Sequence, residues 1–144
     1  MEAVAKALRL KLQSLEVRSL DDFESAFARA KRDGAQALIT TPHSLINDQQ
    51  RQVLDFAAKN RLPAMYPTSG FVEAGGLMSY APNSADLWRH AADFVDKILK
   101  GTKPADIPVE QPMKFEFIIN LTAAKQIGVT IPPNVLVRAD KVIR

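Results

Sequence analysis

The chain has 144 residues, about the length of one domain, and 47% of them are hydrophobic while 24% are charged. This composition predicts a globular protein with a buried core and excludes a disordered chain. Zero cysteines exclude disulfides, thiolate chemistry and cysteine-ligated metals. The formal net charge is +3, but positive and negative residues alternate and no basic run is longer than Lys31 and Arg32. That pattern favours solvated helix faces over nucleic-acid binding.

The first ten residues lack the apolar core and the cleavage site of a signal peptide. No apolar run approaches the ~20 residues that a membrane-spanning helix needs. The chain as given is therefore expected to carry no export signal.

The amino-terminal part is predicted to alternate strands and helices. Residues 1–8 have helical spacing, and residues 10–17 alternate imperfectly, which predicts a first strand. Ser19 is expected to cap a helix that Gly34 ends. Residues 37–40 form a short apolar run that is typical of a strand buried on both faces.

The same pattern is predicted to repeat. After a turn at 42–44, Asn47 or Asp48 is expected to open a second helix, and residues 62–66 to form a third strand. The predicted strand starts near 12, 37 and 64 are 25 and 27 residues apart, the length of one strand–helix unit. The sequence therefore predicts successive βαβ units and an α/β fold with a parallel sheet.

Residues 70–82 separate this part of the chain from the next. They contain a single Gly-Gly pair, Gly75 and Gly76, where the backbone can adopt positive φ and approach a neighbour closely. Residues 77–80 are expected to form a strand. Asn83 or Ser84 is then predicted to cap a long helix that Gly101 ends, and this helix is apolar around so much of its circumference that it requires partners on two sides.

The carboxyl-terminal part is predicted to begin with a Pro-rich surface crossing over residues 101–112. Alternating Phe115, Phe117 and Ile119 indicate a late strand. A short helix is expected from Thr122 to Gly128, followed by a final helical turn that includes residues 135, 142 and 143.

The carboxyl ends of parallel strands meet at one sheet edge, and ligands bind there. His43 could donate to a bound carboxylate or simply lie in a solvent-facing turn. Glu73 could accept an ammonium or hydroxyl group, or cap the N–H groups near the Gly-Gly pair. Tyr66 and Phe71 could form an aromatic wall or pack in the core. The candidate ligand-binding residues at this edge are Thr41, His43, Ser44, Tyr66, Ser69, Phe71 and Glu73.

Residues suited to catalysis or metal binding are not grouped in the sequence. The two histidines, His43 and His90, are isolated, and no carboxylates are paired for acid–base chemistry. The glycines match neither the phosphate-loop nor the dinucleotide pattern, and no serine has a nucleophile-elbow context. We therefore expect no catalytic residue, no bound metal and no cofactor.

Several long motifs, in order along nearly the whole chain, carry a family resemblance: LQSLEVR (12–18), SLDDF (19–23), FVEAGGLMSY (71–80), VDKILKG (95–101), KPADIPVEQP (103–112), and the segments 114–121 and 124–133. Through them the chain resembles the periplasmic substrate-binding proteins of ABC transporters, in particular uncharacterised members related to predicted tryptophan/tyrosine uptake components. It departs from that family at residues 41–44, where Asp-Pro is common, and at Ala81, where glycine is usual.

The resemblance implies a three-layer, parallel-sheet lobe of a type I periplasmic-binding-protein fold. It also implies a small, amino-acid-like solute, an ABC permease as partner, and a periplasmic or membrane-associated location. On this comparison, residues 1–82 correspond to the carboxyl-terminal lobe without its opening strand, 83–101 to a helix that packs on the other lobe, and 102–144 to the crossing, late strand and terminal helices.

With no other lobe in the chain as given, the exposed helix is expected to contact another copy, which predicts a homo-oligomer. The residues expected at this contact are Leu87, Trp88, Ala91, Phe94, Val95 and Ile98. Two alternatives stay open at this point: a ligand-sensing regulatory module of the same fold, and a non-catalytic oligomeric α/β protein.

Overall fold

The computed structural model describes residues 2–144, so Met1, the first residue of the predicted helix 1–8, lies outside them. The helices are α1 (Glu2–Ala7), α2 (Asp22–Arg32), α3 (Ser44–Asp48), α4 (Gln50–Lys59), α5 (Ser69–Glu73), α6 (Ser84–Leu99), α7 (Leu121–Ile127) and α8 (Pro133–Leu136), with a 3-10 turn at Pro104–Asp106. The strands are β1 (Leu38–Ile39), β2 (Ala64–Tyr66), β3 (Met78–Pro82), β4 (Phe115–Asn120) and β5 (Lys141–Ile143). No helix in the described part of the chain has the length and apolar character needed to cross a membrane.

The strands form a five-stranded sheet in the order β1-β2-β3-β4-β5. Strands β1, β2 and β3 are parallel, β4 is antiparallel to β3, and β5 is parallel to β4. The predicted α/β class is therefore confirmed. The sheet, predicted to be parallel, is mostly parallel, with the β3–β4 pair as its antiparallel exception.

The predicted strand at 10–17 is wrong, because residues 10–18 have no regular secondary structure. Leu10 and Leu12 are exposed, whereas Val17 packs against the buried cluster around Phe23. The Gln13 side chain donates to the Asp33 carboxylate at 2.6 Å. The segment is therefore held by side-chain contacts, and the third parallel strand of the sheet is β3.

The start of α2 also differs from the prediction that Ser19 caps it. The helix begins at Asp22, and the Asp22 carboxylate accepts hydrogen bonds from the backbone N–H groups of Arg18 and Ser19, both at 2.8 Å. These two bonds lower the pKa of Asp22 below its ordinary value, and the bond from Arg18 has the larger effect.

Three further boundaries differ from those predicted. The second helix opens at Ser44, before Asn47, and is interrupted at Gln49 between α3 and α4. Residues 69–73, for which no helix is predicted, form α5. Residues 142 and 143, expected in a helical turn, lie in β5 because β4 offers them a parallel partner.

The core contains two buried clusters. One joins α2, α4, β2 and α5, and its buried members are Phe23, Val53, Ala57, Ala64, Tyr66 and Phe71. The other joins β4 and α7 to the start of β3, and its buried members are Leu77, Ile119, Ala123, Ala124, Ile127 and Ile131. Neither cluster includes a residue between 84 and 114.

Candidate functional site

The ends of β1 and β2 lie side by side at one edge of the sheet. Just beyond β1, the Thr40 backbone N–H donates to the Met65 carbonyl at 3.1 Å. This bond holds the start of the 41–44 loop next to the end of β2. The predicted residues Thr41, His43 and Ser44 are all exposed on this loop.

His43 has a structural contact that leaves one ring nitrogen available. It is the N-cap residue of α3, and its Nδ1 accepts a hydrogen bond from the Leu45 backbone N–H at 3.2 Å. A neutral imidazole that accepts at Nδ1 carries its proton at Nε2. His43 can therefore donate from Nε2 to a ligand oxygen while Nδ1 caps the helix.

Ser69 begins α5, and a corner formed by Thr68, Gly70 and Gln50 lies next to it. A Cβ atom placed on Gly70 would lie 3.8 Å from Thr68 Oγ1 and 4.0 Å from Gln50 Nε2. Gln50 is the first residue of α4, so this corner brings the side-chain amide of one helix to the start of another. Gln50 and Thr68 are not among the residues predicted for the site. Both are polar and lie at the amino-terminal end of a helix at the candidate edge, which is the feature of the sequence that could have identified them.

Tyr66 and Phe71 lie in the core and not on the edge surface. Their side chains are 2% and 1% exposed, and their rings stack with centroids 5.1 Å apart. Burial raises the pKa of the Tyr66 hydroxyl to about 12. Of the two readings of this pair, the geometry supports core packing over an aromatic wall.

Glu73 lies at the other end of α5 from Ser69 and has a partner within the chain. Its Oε1 is 3.2 Å from Nζ of Lys141, the first residue of β5. Both side chains are about half exposed, so the ion pair contributes little stability. The carboxylate does not cap the backbone near the Gly-Gly pair, and its cationic neighbour is Lys141.

The long helix α6 extends from the sheet without a buried side chain. Of the two residues predicted as its cap, Asn83 is the N-cap, and its side chain accepts from the Asp86 backbone N–H at 2.8 Å. Gly101, the predicted end, follows the helix with φ of 101°. The exposed fractions of its large apolar side chains are 76% for Trp88, 82% for Leu99, 55% for Val95, and 42% for both Leu87 and Ile98. Phe94 is partly buried, and Ala91 is exposed.

A groove of about 480 Å³ separates α6 from residues 110–114, which we call the strap. Leu87, Ala91 and Phe94 form its helix wall, and Pro112 and Met113 belong to its strap wall. His90 lies between two carboxylates, with Nε2 3.6 Å from Asp86 and Nδ1 3.7 Å from Glu110 of the strap. At the end of the groove nearest the sheet, the Asn83 backbone N–H donates to the Lys114 carbonyl at 2.9 Å.

The candidate edge and the groove are lined by different residues, and neither contains a metal-binding group. Within residues 2–144, no three His, Asp or Glu side chains are grouped closely enough to hold a metal ion. The chemistry available at the edge is hydrogen bonding by hydroxyl, imidazole and amide groups.

Comparison with solved structures identifies the same fold in three proteins. A conserved domain protein from Vibrio cholerae superposes with a TM-score of 0.89 at 24% identity, over 98% of this chain and 47% of that one. The ABC domain in complex with L-Trp from Streptococcus pneumoniae gives 0.88 at 28% identity, over 98% and 48%. The ligand-free, open structure of a Clostridium difficile substrate-binding protein with adhesive properties gives 0.68 at 20% identity, over 99% and 47%.

This chain thus spans about half the length of each of these three solved structures. No curated protein matches it. The family model described as ABC transporter substrate binding protein matches residues 1–143. Since that match covers nearly all of the sequence, the chain belongs to the ABC transporter substrate-binding protein family.

Proposed function

We propose that this chain provides one side of the solute-binding crevice of an ABC importer's substrate-binding protein, and that the solute is a small amino acid-like molecule. The observation that carries the proposal is the family match over residues 1–143. Under this proposal the protein acts outside the cytoplasmic membrane and passes its solute to an ABC permease, without a chemical step.

The polar groups at the sheet edge suit the charged end of an amino acid. His43 Nε2–H and the hydroxyl groups of Thr41 and Ser44 can donate to a carboxylate. The amide oxygen of Gln50 and the hydroxyl of Thr68 can accept from an ammonium group. Because Tyr66 and Phe71 are buried, we assign them to packing and assign solute contact to the polar side chains.

L-tryptophan is the first probe, because the pneumococcal neighbour binds it. We expect L-tryptophan, or another amino acid from a panel of the common ones, to raise the melting temperature in a dose-dependent way. A ligand at 100 times its Kd stabilises the folded state by about 2.7 kcal/mol. Isothermal titration of the same ligand is expected to give saturable binding, whereas indole, without the charged end, is expected to give none.

A matched pair of variants tests whether binding occurs at this edge. Gly70→Gln places a side chain over the Thr68 and Gln50 corner and is expected to abolish binding while leaving the fold intact. Ala58→Gln adds the same side chain at an exposed position near the other end of α4 and is expected to bind normally. Equal binding by both variants would contradict this location, and no response to any amino acid would contradict binding of such a solute by this chain.

A further inference from the structure

Backbone hydrogen bonding attaches the strap to the rest of the chain at one end only. At its last residue, the Lys114 carbonyl accepts from the Asn83 backbone N–H next to the sheet. Within residues 2–144, no backbone hydrogen bond involves residues 110–113. Met113 is 89% exposed, so it contributes little packing. The position of residues 110–113 therefore depends on the side chains that face each other across the groove.

In the described chain, the contact between His90 and Glu110 is the one ion pair that links the strap to α6. Glu110 Oε2 is 3.7 Å from His90 Nδ1, and the other ring nitrogen, Nε2, is 3.6 Å from Asp86 Oδ2. These distances exceed those of direct hydrogen bonds, so the attraction is mainly ionic. A carboxylate only accepts, and a neutral imidazole has one N–H, so its other nitrogen would present a lone pair to a carboxylate. The imidazolium form, with two N–H groups, therefore fits this position better.

Other charged side chains lie near His90 on both walls of the groove. Those within about one turn of it on α6, or on the strap, are Asp86, Arg89, Asp93, Glu110 and Lys114. Arg89 donates to Asp86 Oδ1 at 3.0 Å and so neutralises much of that carboxylate. No lysine or arginine of the described residues is paired with Glu110. A positive charge on His90 is therefore attracted across the groove more strongly than along the helix.

We propose that His90 is a pH-sensitive clamp that holds the strap against α6 when its imidazole is protonated. Histidine is the side chain that ordinarily gains its charge between about pH 8 and 5. Because the clamped position attracts the added proton, protonation and clamping favour each other. The strap is therefore held as the pH falls through this range and released as the pH rises. This clamp acts on a contact inside the chain and does not depend on what covers the rest of α6.

The expected change in strap position is modest, because the paired groups are partly exposed. The His90 side chain is 52% exposed and that of Glu110 is 45% exposed. An ion pair of this kind shifts an equilibrium by about two- to five-fold. We expect this change in the ratio of clamped to released strap between about pH 8 and pH 5.5, where carboxylates stay ionised. Added salt at about 1 M is expected to reduce the change by screening.

Two spin labels measure the separation of the strap from α6, since the chain has no cysteine that would compete for labelling. Val109→Cys, immediately before the strap, and Ala92→Cys, on α6, are both at exposed positions that do not line the groove. Pulsed electron resonance is expected to give a larger population at the short distance at acidic pH than at alkaline pH. A distance distribution that does not change with pH overturns the proposal.

Variants of His90 in the labelled protein separate the clamp from other effects of pH. His90→Gln is neutral at every pH and is expected to abolish the response. His90→Arg is always charged and is expected to keep the strap clamped at both pH values. The chain has one other histidine, so His43→Gln is the matched control and is expected to respond normally. A response that persists in His90→Gln, or that is lost in His43→Gln, overturns the proposal.

A variant of the strap identifies the partner of His90. Glu110→Gln removes the carboxylate charge while keeping the shape of the side chain, and it is expected to abolish the pH response. Asp93→Asn removes a charge on α6 that forms no ion pair with His90, and it is expected to retain the response. A normal response in Glu110→Gln contradicts a clamp across the groove.

Discussion

Position 76 requires glycine because its backbone lies too close to the Tyr66 ring to leave room for a side chain. A Cβ atom at position 76 would lie 2.6 Å from the edge of the Tyr66 ring and 2.8 Å from the Phe71 carbonyl oxygen. Its neighbour Gly75 has φ of 106°, a conformation that favours glycine. The pair thus performs both functions expected from the sequence: Gly75 turns the chain and Gly76 allows a close approach.

Gly76→Ala is expected to destabilise the protein by about 1–3 kcal/mol, because the Tyr66 ring and the backbone of α5 must move. Urea denaturation measures the change. Gly70→Ala is the control, since its nearest contacts are at 3.8 Å and the position is helical, where alanine is favoured by about 1 kcal/mol. Equal loss in the two variants would show that the Tyr66 contact is not the cause.

The buried hydroxyl of Tyr66 predicts a loss of stability at high pH. Burial raises its pKa from 10.0 to about 12, so between these values the unfolded chain releases the proton while the folded chain keeps it. The unfolded state then binds fewer protons, and the free energy of unfolding falls as pH rises, by at most ~1.4 kcal/mol per pH unit. Below pH 10 this contribution is fully present.

Tyr66→Phe should therefore flatten the pH dependence of unfolding between pH 10 and 12. The chain has two tyrosines, and the second, Tyr80, is 59% exposed, which makes Tyr80→Phe the matched control. We expect the control to keep the slope of the natural protein. A slope that is unchanged in Tyr66→Phe would show that the Tyr66 hydroxyl is not the cause.

At the scale of elements, Asn120 connects the end of β4 to two helices. Its Oδ1 accepts from the Ala123 backbone N–H at 3.0 Å, which caps α7, and its Nδ2 donates to the Val72 carbonyl of α5 at 3.2 Å. The residue is only 6% exposed. Both bonds are therefore made where water does not readily replace them.

Asn120→Ala is expected to lower the free energy of unfolding by about 2–4 kcal/mol, since it removes a helix cap and leaves a buried carbonyl without its donor. Thermal or urea unfolding measures this loss. Asn134→Ala, at an exposed position of α8, is expected to change stability by less than about 0.5 kcal/mol. A small loss at position 120 would mean that solvent replaces the bonds.

Elements with local signals could be predicted from the sequence, and elements that depend on distant partners could not. Helix α6 has an Asn83 cap and a glycine stop, and α7 ends at Gly128, whose φ is 76°. By contrast, whether residues 10–17 or 141–143 form a strand depends on the availability of a neighbouring strand. The apolar residues alone do not specify that neighbour.

The same limit applies to the candidate site. The strand-end loops follow from the predicted strands, so the exposed positions of Thr41, His43 and Ser44 could be anticipated. Two contacts of the site are made by residues far apart in the sequence. Gln50 and Gly70 are 20 positions apart, and Glu73 and Lys141 are 68 positions apart. Local spacing cannot predict either contact. The burial of Tyr66 and Phe71 likewise depends on α2 and α4 packing over them.

At the scale of the whole molecule, the chain leaves the sheet after β3 and returns to it next to the same point. Pro82 pairs with Phe115 across the two strands, and the Asn83–Lys114 hydrogen bond extends this pairing. Residues 84–113, including α6 and most of the strap, are thus inserted between two paired strands.

Replacing residues 84–113 with an Asn-Gly turn is expected to preserve the sheet and both buried clusters, because no cluster residue comes from this segment. Cooperative urea unfolding and far-ultraviolet circular dichroism measure retention of the fold. Loss of cooperative unfolding would show that the segment contributes to the stability of the sheet.

Because β3 and β4 pair directly at both ends of residues 84–113, this segment is equivalent to a very long hairpin loop. The entropy of closing a flexible loop grows only with the logarithm of its length, so doubling the length costs about 0.6 kcal/mol. Substitutions, insertions and even exchange of this segment for that of a relative should therefore alter what the protein contacts without much effect on its folding. The exposed surface of α6 can in this way diverge independently of the sheet that carries it.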